Sequence, residues 1–190
     1  MHEAERVKRA PVLVIAFDQS SNVTGIALRM FDGRLIPGSN DTMIVGVLDH
    51  TVSDHIETRI ASMYQTIEQL MLSYAAARDR GECVPVVVLE QARQGRFRSV
   101  YAALRCAQAT VWIAAVNNGI PVRYVTPIQL RTSLGLSKSA TKEDIRKAVI
   151  SKLGSLETED LQQDAIDAAA IAFAYIGGSY MKNRKILKLQ

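Results

Sequence analysis

Asp164 and Asp167 lie three residues apart in the stretch QQDAIDAAAIAFAYIGG (162–178), and from Ala165 onward every residue except Asp167 is small or apolar. An ionised carboxylate in such a setting is costly unless it meets a cation or gives up its charge. In a helix, the spacing sets both acids on one side, the side that continues through Ala168, Ile171 and Tyr175 and must pack inward. A first-turn position favoured by the helix dipole would explain Asp164, but it explains Asp167 poorly. Two more acids sit where buried strands end. Asp18 follows PVLVIAF (11–17), and Glu90 closes VPVVVLE (84–90). In sheets with helical crossovers, such strand ends are where sites are built. Taken singly, each has a plain structural alternative: Asp18 as a turn former in Asp-Gln-Ser-Ser, Glu90 as an edge residue facing solvent.

Four carboxylates brought to one place repel one another unless cations are present. An all-oxygen set without His or Cys selects hard divalent ions, magnesium or manganese. Two such ions roughly 3.5–4 Å apart can activate water and stabilise the leaving oxygen in phosphodiester cleavage. The chemistry expected of Asp18, Glu90, Asp164 and Asp167 is therefore metal-assisted phosphoryl hydrolysis.

The elements that must position these acids follow from hydrophobic patterning. Residues 11–17, 23–30 and 42–50 read as three strands in quick succession, an antiparallel meander with turn chemistry in FDGRLIPGSND. Ile56, Ile60, Met63, Ile67, Leu70, Met71 and Tyr74 recur at helical spacing and predict a helix over 53–78, with Ser53, Asp54 and Glu57 suiting its start. A strand at 84–90, a long helix at 98–118 and a short strand at 120–126 follow. Helices then read over 127–134, 141–153 and 159–176, the second opened by the capping pair Thr141 and Asp144. Strands first in a meander and then alternating with helices predict an α/β fold, a mixed five-stranded sheet with helices on both faces. The expected organisation is one domain over 1–190, with its core at about 12–176 and flexible basic termini.

The charge of +4 in 190 residues mildly favours a polyanionic partner, and its placement says more. Arg93 to Arg105 holds four arginines and no acid, Arg123 to Lys152 seven basic residues against Glu143 and Asp144, and the tail MKNRKILKLQ four more basic residues. One such run would be a solvated face; three in one chain indicate nucleic acid. Cys83 and Cys106 lack metal-type spacing and lie in apolar stretches, which predicts buried free thiols in a reducing compartment. MHEAERVKRAP has no long apolar core, so it does not read as a signal peptide, and no apolar run reaches the length of a membrane span. The expected location is intracellular, in cytoplasm or nucleoid.

These residues together resemble the RuvC family of Holliday-junction resolvases, of the ribonuclease H-like fold, its phage-type members included. FDQSSNVTGIA is similar to the family's first-strand motif, VVVLEQ to its second acidic motif, and DAIDAAAIA to its closing motif. AALRCAQATVWIAAVNNGIPVRYVTPIQL is similar throughout to the helix–strand–Thr/Ala-Pro segment. The resemblance implies two magnesium ions on Asp18, Glu90, Asp164 and Asp167, with manganese able to substitute. It also implies a homodimer that cuts four-way or other branched DNA. Lys142, in ATKEDI, and Arg131, in IQLRTSL, match the family's basic residues near the scissile phosphate, Lys142 as a catalytic and DNA-binding residue and Arg131 as a DNA contact standing where the family has lysine. The loop QARQGRFRSVY implies an aromatic wedge at Phe97 with Arg93, Arg96 and Arg98 on phosphates, and Lys138 is a further DNA contact. Gln19-Ser20 replaces the Pro-Gly of cellular members, which leaves open whether a branch-migration motor is a partner.

Helix 98–118 carries Val100, Ala103, Leu104, Ala107, Val111, Trp112, Ala115 and Val116, small or apolar on most faces. Such a helix is either sandwiched in a core or paired across a two-fold axis, the expected route to the dimer. The rival readings are another ribonuclease H-like nuclease (flap, exonuclease or RNA–DNA hybrid) and a junction-binding protein that does not cut. An actin-like ATPase shares the first-strand pattern, but it would need two lobes and glycine-rich adenosine contacts.

Overall fold

The computed structural model describes residues 10–20, 22–31, 43–51, 53–91, 98–154 and 161–187, the last residues of the final helix (179–187) and the first of another (98–100) by backbone alone. The strands are β1 (Val12–Asp18), β2 (Val23–Phe31), β3 (Met43–Asp49), β4 (Val84–Glu90) and β5 (Val122–Val125). The helices are α1 (Ile56–Asp79), α2 (Arg98–Asn117), α3 (Pro127–Ser133), α4 (Lys142–Leu153) and α5 (Gln163–Leu187). The sheet runs β3-β2-β1-β4-β5: β1, β2 and β3 form the antiparallel meander, while β4 and β5 add in parallel through helical crossovers. This is the mixed, two-sided sheet that the patterning predicts.

Side-chain alternation along β1 and β4 divides the core. Leu13, Ile15, Phe17, Val87 and Leu89 pack on α1 and α2 with Met63, Ile67, Met71, Ala107 and Val111. Val14, Ala16, Val86 and Val88 face the other way, onto Ile166, Ala169, Ile171 and Ala172 of α5 with parts of α3 and α4. The same alternation sends the next residue of each strand, Asp18 and Glu90, to the α5 side. Phe17 pairs with Leu89, so the two acids end neighbouring parallel strands, which lie roughly 4.8 Å apart.

The spacing between α5 and the sheet is set by Gly25 on β2, the register partner of Asp18. A Cβ built on Gly25 would overlap the backbone carbonyl of Asp164 and come within 3.0 Å of the Ala165 nitrogen. Only a residue without a side chain lets the start of α5 lie directly on the strand. Ala165, Ala168, Ala169, Ala170 and Ala172 extend this close packing and are all buried.

Several boundaries differ from expectation. α1 begins at Ile56 rather than Ser53, because the Ser53 hydroxyl accepts from the His55 amide and shapes the turn ahead of the helix. β5 is shorter than 120–126; Ile120 is instead buried beneath α2, and its amide caps the end of that helix by bonding to the Ala115 carbonyl. α5 starts at Gln163 rather than 159 and continues past Ile176 and the Gly177-Gly178 pair to Leu187. The glycines cost helix stability but break no hydrogen bond, and Met, Lys, Arg and Leu beyond them are good helix formers. Cys83 is a buried thiol as expected, but Cys106 is exposed: it lies on the side of α2 turned away from α1 and the sheet, which apolar sequence neighbours do not reveal. Thr141 and Asp144 form the expected capping box.

Gly25→Ala should destabilise the protein by about 1–3 kcal/mol, the usual range for overpacking, because the new methyl meets backbone that cannot rotate away. Denaturant unfolding checks this, and a stability equal to wild type would show that α5 does not depend on that close approach.

Candidate metal and DNA site

In the turn after β1, the hydrogen bonds among the described residues come from Ser20 and Gln19. The Ser20 hydroxyl accepts from the amides of Asn22 and Val23, and the Gln19 amide folds back onto the Phe17 carbonyl at 3.0 Å. Ser20 thus carries turn chemistry in Asp-Gln-Ser-Ser, and the Asp18 carboxylate faces α5. There it is largely buried and feels, in decreasing order, Asp167, Glu90 and Asp164. Burial first, then these three neighbours, push its pKa up to about 7, against only a weak opposing pull from Lys142. All four acids identified by spacing therefore share one electrostatic site.

Asp167 is held at both oxygens. Gln163 Nε2 donates to Oδ1 at 2.9 Å, and Lys142 Nζ lies 3.6 Å from Oδ2. Lys142 is the first residue of α4, and its side chain is 80% exposed against 21% for Asp167, so it borders the site from the solvent side. α4 itself is fixed from behind. Arg131 Nε donates to the Ala140 carbonyl at 3.0 Å and Nη1 to the Pro127 carbonyl at 3.1 Å, tying α3 to the segment that leads into α4. Two of the five N–H donors of the Arg131 guanidinium thus meet main-chain carbonyls, a bracing role that residue type alone does not reveal. Lys138 is exposed in the same connection. Arg93, Arg96 and Phe97 lie outside the described residues, and Arg98 is described only as the first residue of α2.

Three contributors escaped the sequence reading. Gly25 had a usable signal, since an isolated glycine inside a strand marks close backbone approach. Gln163, on α5, and Gln108, on α2, had none, because a glutamine's partner is set by tertiary packing. Gln108 is buried, accepts from Arg105 Nη1 at 2.7 Å and donates to the Glu90 carbonyl at 2.9 Å, steadying β4 where its acid is presented.

Among the described residues the donor set fits hard divalent ions: four carboxylates with no imidazole or thiolate beside them, and an Asp18 whose pKa is raised first by burial and then by its three acidic neighbours. Among the described residues, no three acids stand close enough together to cage one ion as they are oriented. Ligation would require some of these carboxylates to turn.

Residues 14–175 match the family described as crossover junction endodeoxyribonuclease RuvC. The Streptomyces avermitilis protein of that name is 29% identical over 140 residues, 74% of each chain. The Geobacter metallireducens protein of that name is 28% identical over 171 residues, covering 90% of this chain and 95% of its own. Among solved structures, T. thermophilus RuvC in complex with Holliday junction substrate superposes with a TM-score of 0.71 at 20% identity, over 90% of this chain and 96% of that one.

The raised pKa of Asp18 has a signed consequence for stability. Between an unfolded value near 4 and a folded value near 7, the native state holds a proton that the unfolded state has lost, so this group's contribution falls as pH rises through that window. In EDTA, Asp18→Asn should therefore melt above wild type at pH 7.5, with the gap narrowing toward pH 5. Melting curves at the two pH values check this, and a gap independent of pH would contradict the crowded-carboxylate picture.

Proposed function

The chain belongs to the RuvC family of crossover junction endodeoxyribonucleases, and on that premise we propose that it cleaves phosphodiester bonds in four-way or closely related branched DNA. The single observation that carries the reading is the convergence of Glu90, Asp164 and Asp167 on the buried Asp18 carboxylate, four acids from three different elements at the ends of β1 and β4 and the start of α5. Magnesium, two ions per site with manganese as substitute, would be held by these four acids and supplies the positive charge needed at the attacking and departing oxygens of a phosphodiester displacement.

The chain's own residues do the rest. Asp18 and Glu90, at strand ends, and Asp164 and Asp167, in the first turns of a packed helix, would offer their oxygens from a backbone with little freedom to drift. Lys142 extends from the start of α4 beside Asp167 and offers its ammonium to a phosphate laid across the site. Arg131 keeps α4 and hence Lys142 in place, and Lys138 lies on the same exposed connection as a backbone contact. Arg93, Arg96 and Arg98 are proposed to grip phosphates around the junction centre, with Phe97 as the apolar wedge between base steps. The whole chain then works as one nuclease domain, inside the cell where its DNA is. Among the described residues, no helix is long and apolar enough to cross a membrane.

Cutting two strands symmetrically requires two sites, hence two copies. α2 supports this: Ala107, Val111, Ala114 and Ala115 are in the core, while Trp112, Ile113 and Val116 on its outer face are 46%, 43% and 48% exposed. An exposed patch of large apolar side chains on one helix fits a self-complementary interface. Trp112→Glu should convert a dimer of twice 20.9 kDa to monomer in sedimentation at micromolar concentration. A monodisperse wild-type monomer would dispose of the interface.

The activity itself is tested on a synthetic four-way junction, magnesium against EDTA, wild type against Asp167→Asn. Paired nicks that disappear in EDTA and in the variant, with junction binding retained, are expected. Flaps and RNA–DNA hybrids at equal salt complete the comparison; faster cutting of either would reassign the substrate, and tight binding without cutting in magnesium or manganese would remove the catalytic roles.

A further inference from the structure

Behind Asp167 stands a connected set of side chains that the four-acid reading does not use. Arg146, one turn after Lys142 on α4, directs Nη1 and Nη2 to the Leu161 carbonyl, each at 3.2 Å, and Nη1 also reaches Gln163 Oε1 at 3.4 Å. Gln163 Nε2 then donates to Asp167 Oδ1. The polarity of this chain is forced. Guanidinium has only donors, so the amide oxygen must face Arg146, and its nitrogen is thereby left toward Asp167. The same guanidinium grips the chain immediately before α5, so the side chain that orients Gln163 also locates the helix carrying Asp164 and Asp167.

We propose that Gln163, oriented by Arg146, is a positioning residue that fixes the rotamer of Asp167 for metal ligation. The inference rests on the metal-nuclease reading above. Lys142 lies on the opposite oxygen, mostly in solvent, and by itself would draw Asp167 outward along the lysine side chain. Gln163 opposes that pull from the same helix, one turn earlier, with a shorter and better-directed bond. With both in place, Asp167 keeps one oxygen turned toward Lys142 and the other held by the Gln163 amide, and each oxygen has a lone pair left for a cation. Ligand-orienting groups of this kind typically change metal affinity or activity by about 10–100-fold when removed.

The test is manganese binding to the full-length protein by calorimetry, together with cleavage kinetics on a four-way junction. Gln163→Met keeps the length of the side chain and removes its donor. It should weaken manganese binding and lower kcat by about tenfold each, with KM for the junction unchanged and the melting temperature in EDTA close to wild type. Arg146→Met should weaken binding in the same direction by less. The double variant should be no worse than Gln163→Met, because both act along one path and their effects are not additive. If Gln163→Met fails to fold, Gln163→Asn, whose amide falls a methylene short of Asp167, carries the same expectation. Manganese binding by wild type with equal binding by the variants would overturn the positioning role and leave the metal reading intact, as would losses that simply add. No manganese uptake by wild type would overturn the metal reading, and this inference with it.

Discussion

The site depends on how closely α5 approaches β2. Gly25 lets the backbone of Asp164 rest on the strand directly opposite Asp18 in register. A helix held even a methyl group farther out would still cover the sheet, since its inward side is mostly alanine. It would hold its two carboxylates farther from Asp18 and weaken their coupling to it. The small-residue content of α5 therefore has two consequences from one cause: it allows tight packing, and it places Asp164 and Asp167 beside the ends of β1 and β4.

That packing creates an electrostatic liability. Asp18 is buried among like charges, with one mostly solvated lysine nearby among the described residues, and its preference shifts strongly toward the neutral form. A fold can carry such a liability when the surrounding structure over-determines it, and here the constraints are specific. Ser20 takes over the turn, Gln108 steadies the Glu90 carbonyl, Gln163 and Lys142 hold Asp167, and Arg131 and Arg146 fix the connections into α4 and α5. Strained or self-repelling groups of this kind gather at functional sites because the same arrangement that destabilises the empty protein favours a bound cation.

The arginines show how one residue type divides between two tasks. Runs of basic residues in the sequence point to nucleic acid, and Lys138 and Lys142 are exposed in keeping with that. Arg131 and Arg146, from the same run, instead donate to main-chain carbonyls and hold helix ends together. Arginine suits this role because its planar fork can bond two carbonyls at once and stays charged when half-buried.

The two-sided mixed sheet, the order of its elements and the four acids were all legible in the sequence, because they rest on local signals: hydrophobic periodicity of two or of about 3.6, turn residues, and carboxylates in segments otherwise built for burial. Family resemblance in FDQSSNVTGIA, VVVLEQ and DAIDAAAIA added the reaction class. The ends of α1, β5 and α5, the exposure of Cys106, the bracing role of Arg131 and the links from Gln108 and Gln163 were not legible. Each depends on which group, distant in sequence, comes to lie within about 3 Å, and a hydrogen bond carries no periodicity by which to announce itself. The residue types specified that carboxylates would converge; only the packing of α5 on Gly25 decided how closely, and which neighbours would hold them there.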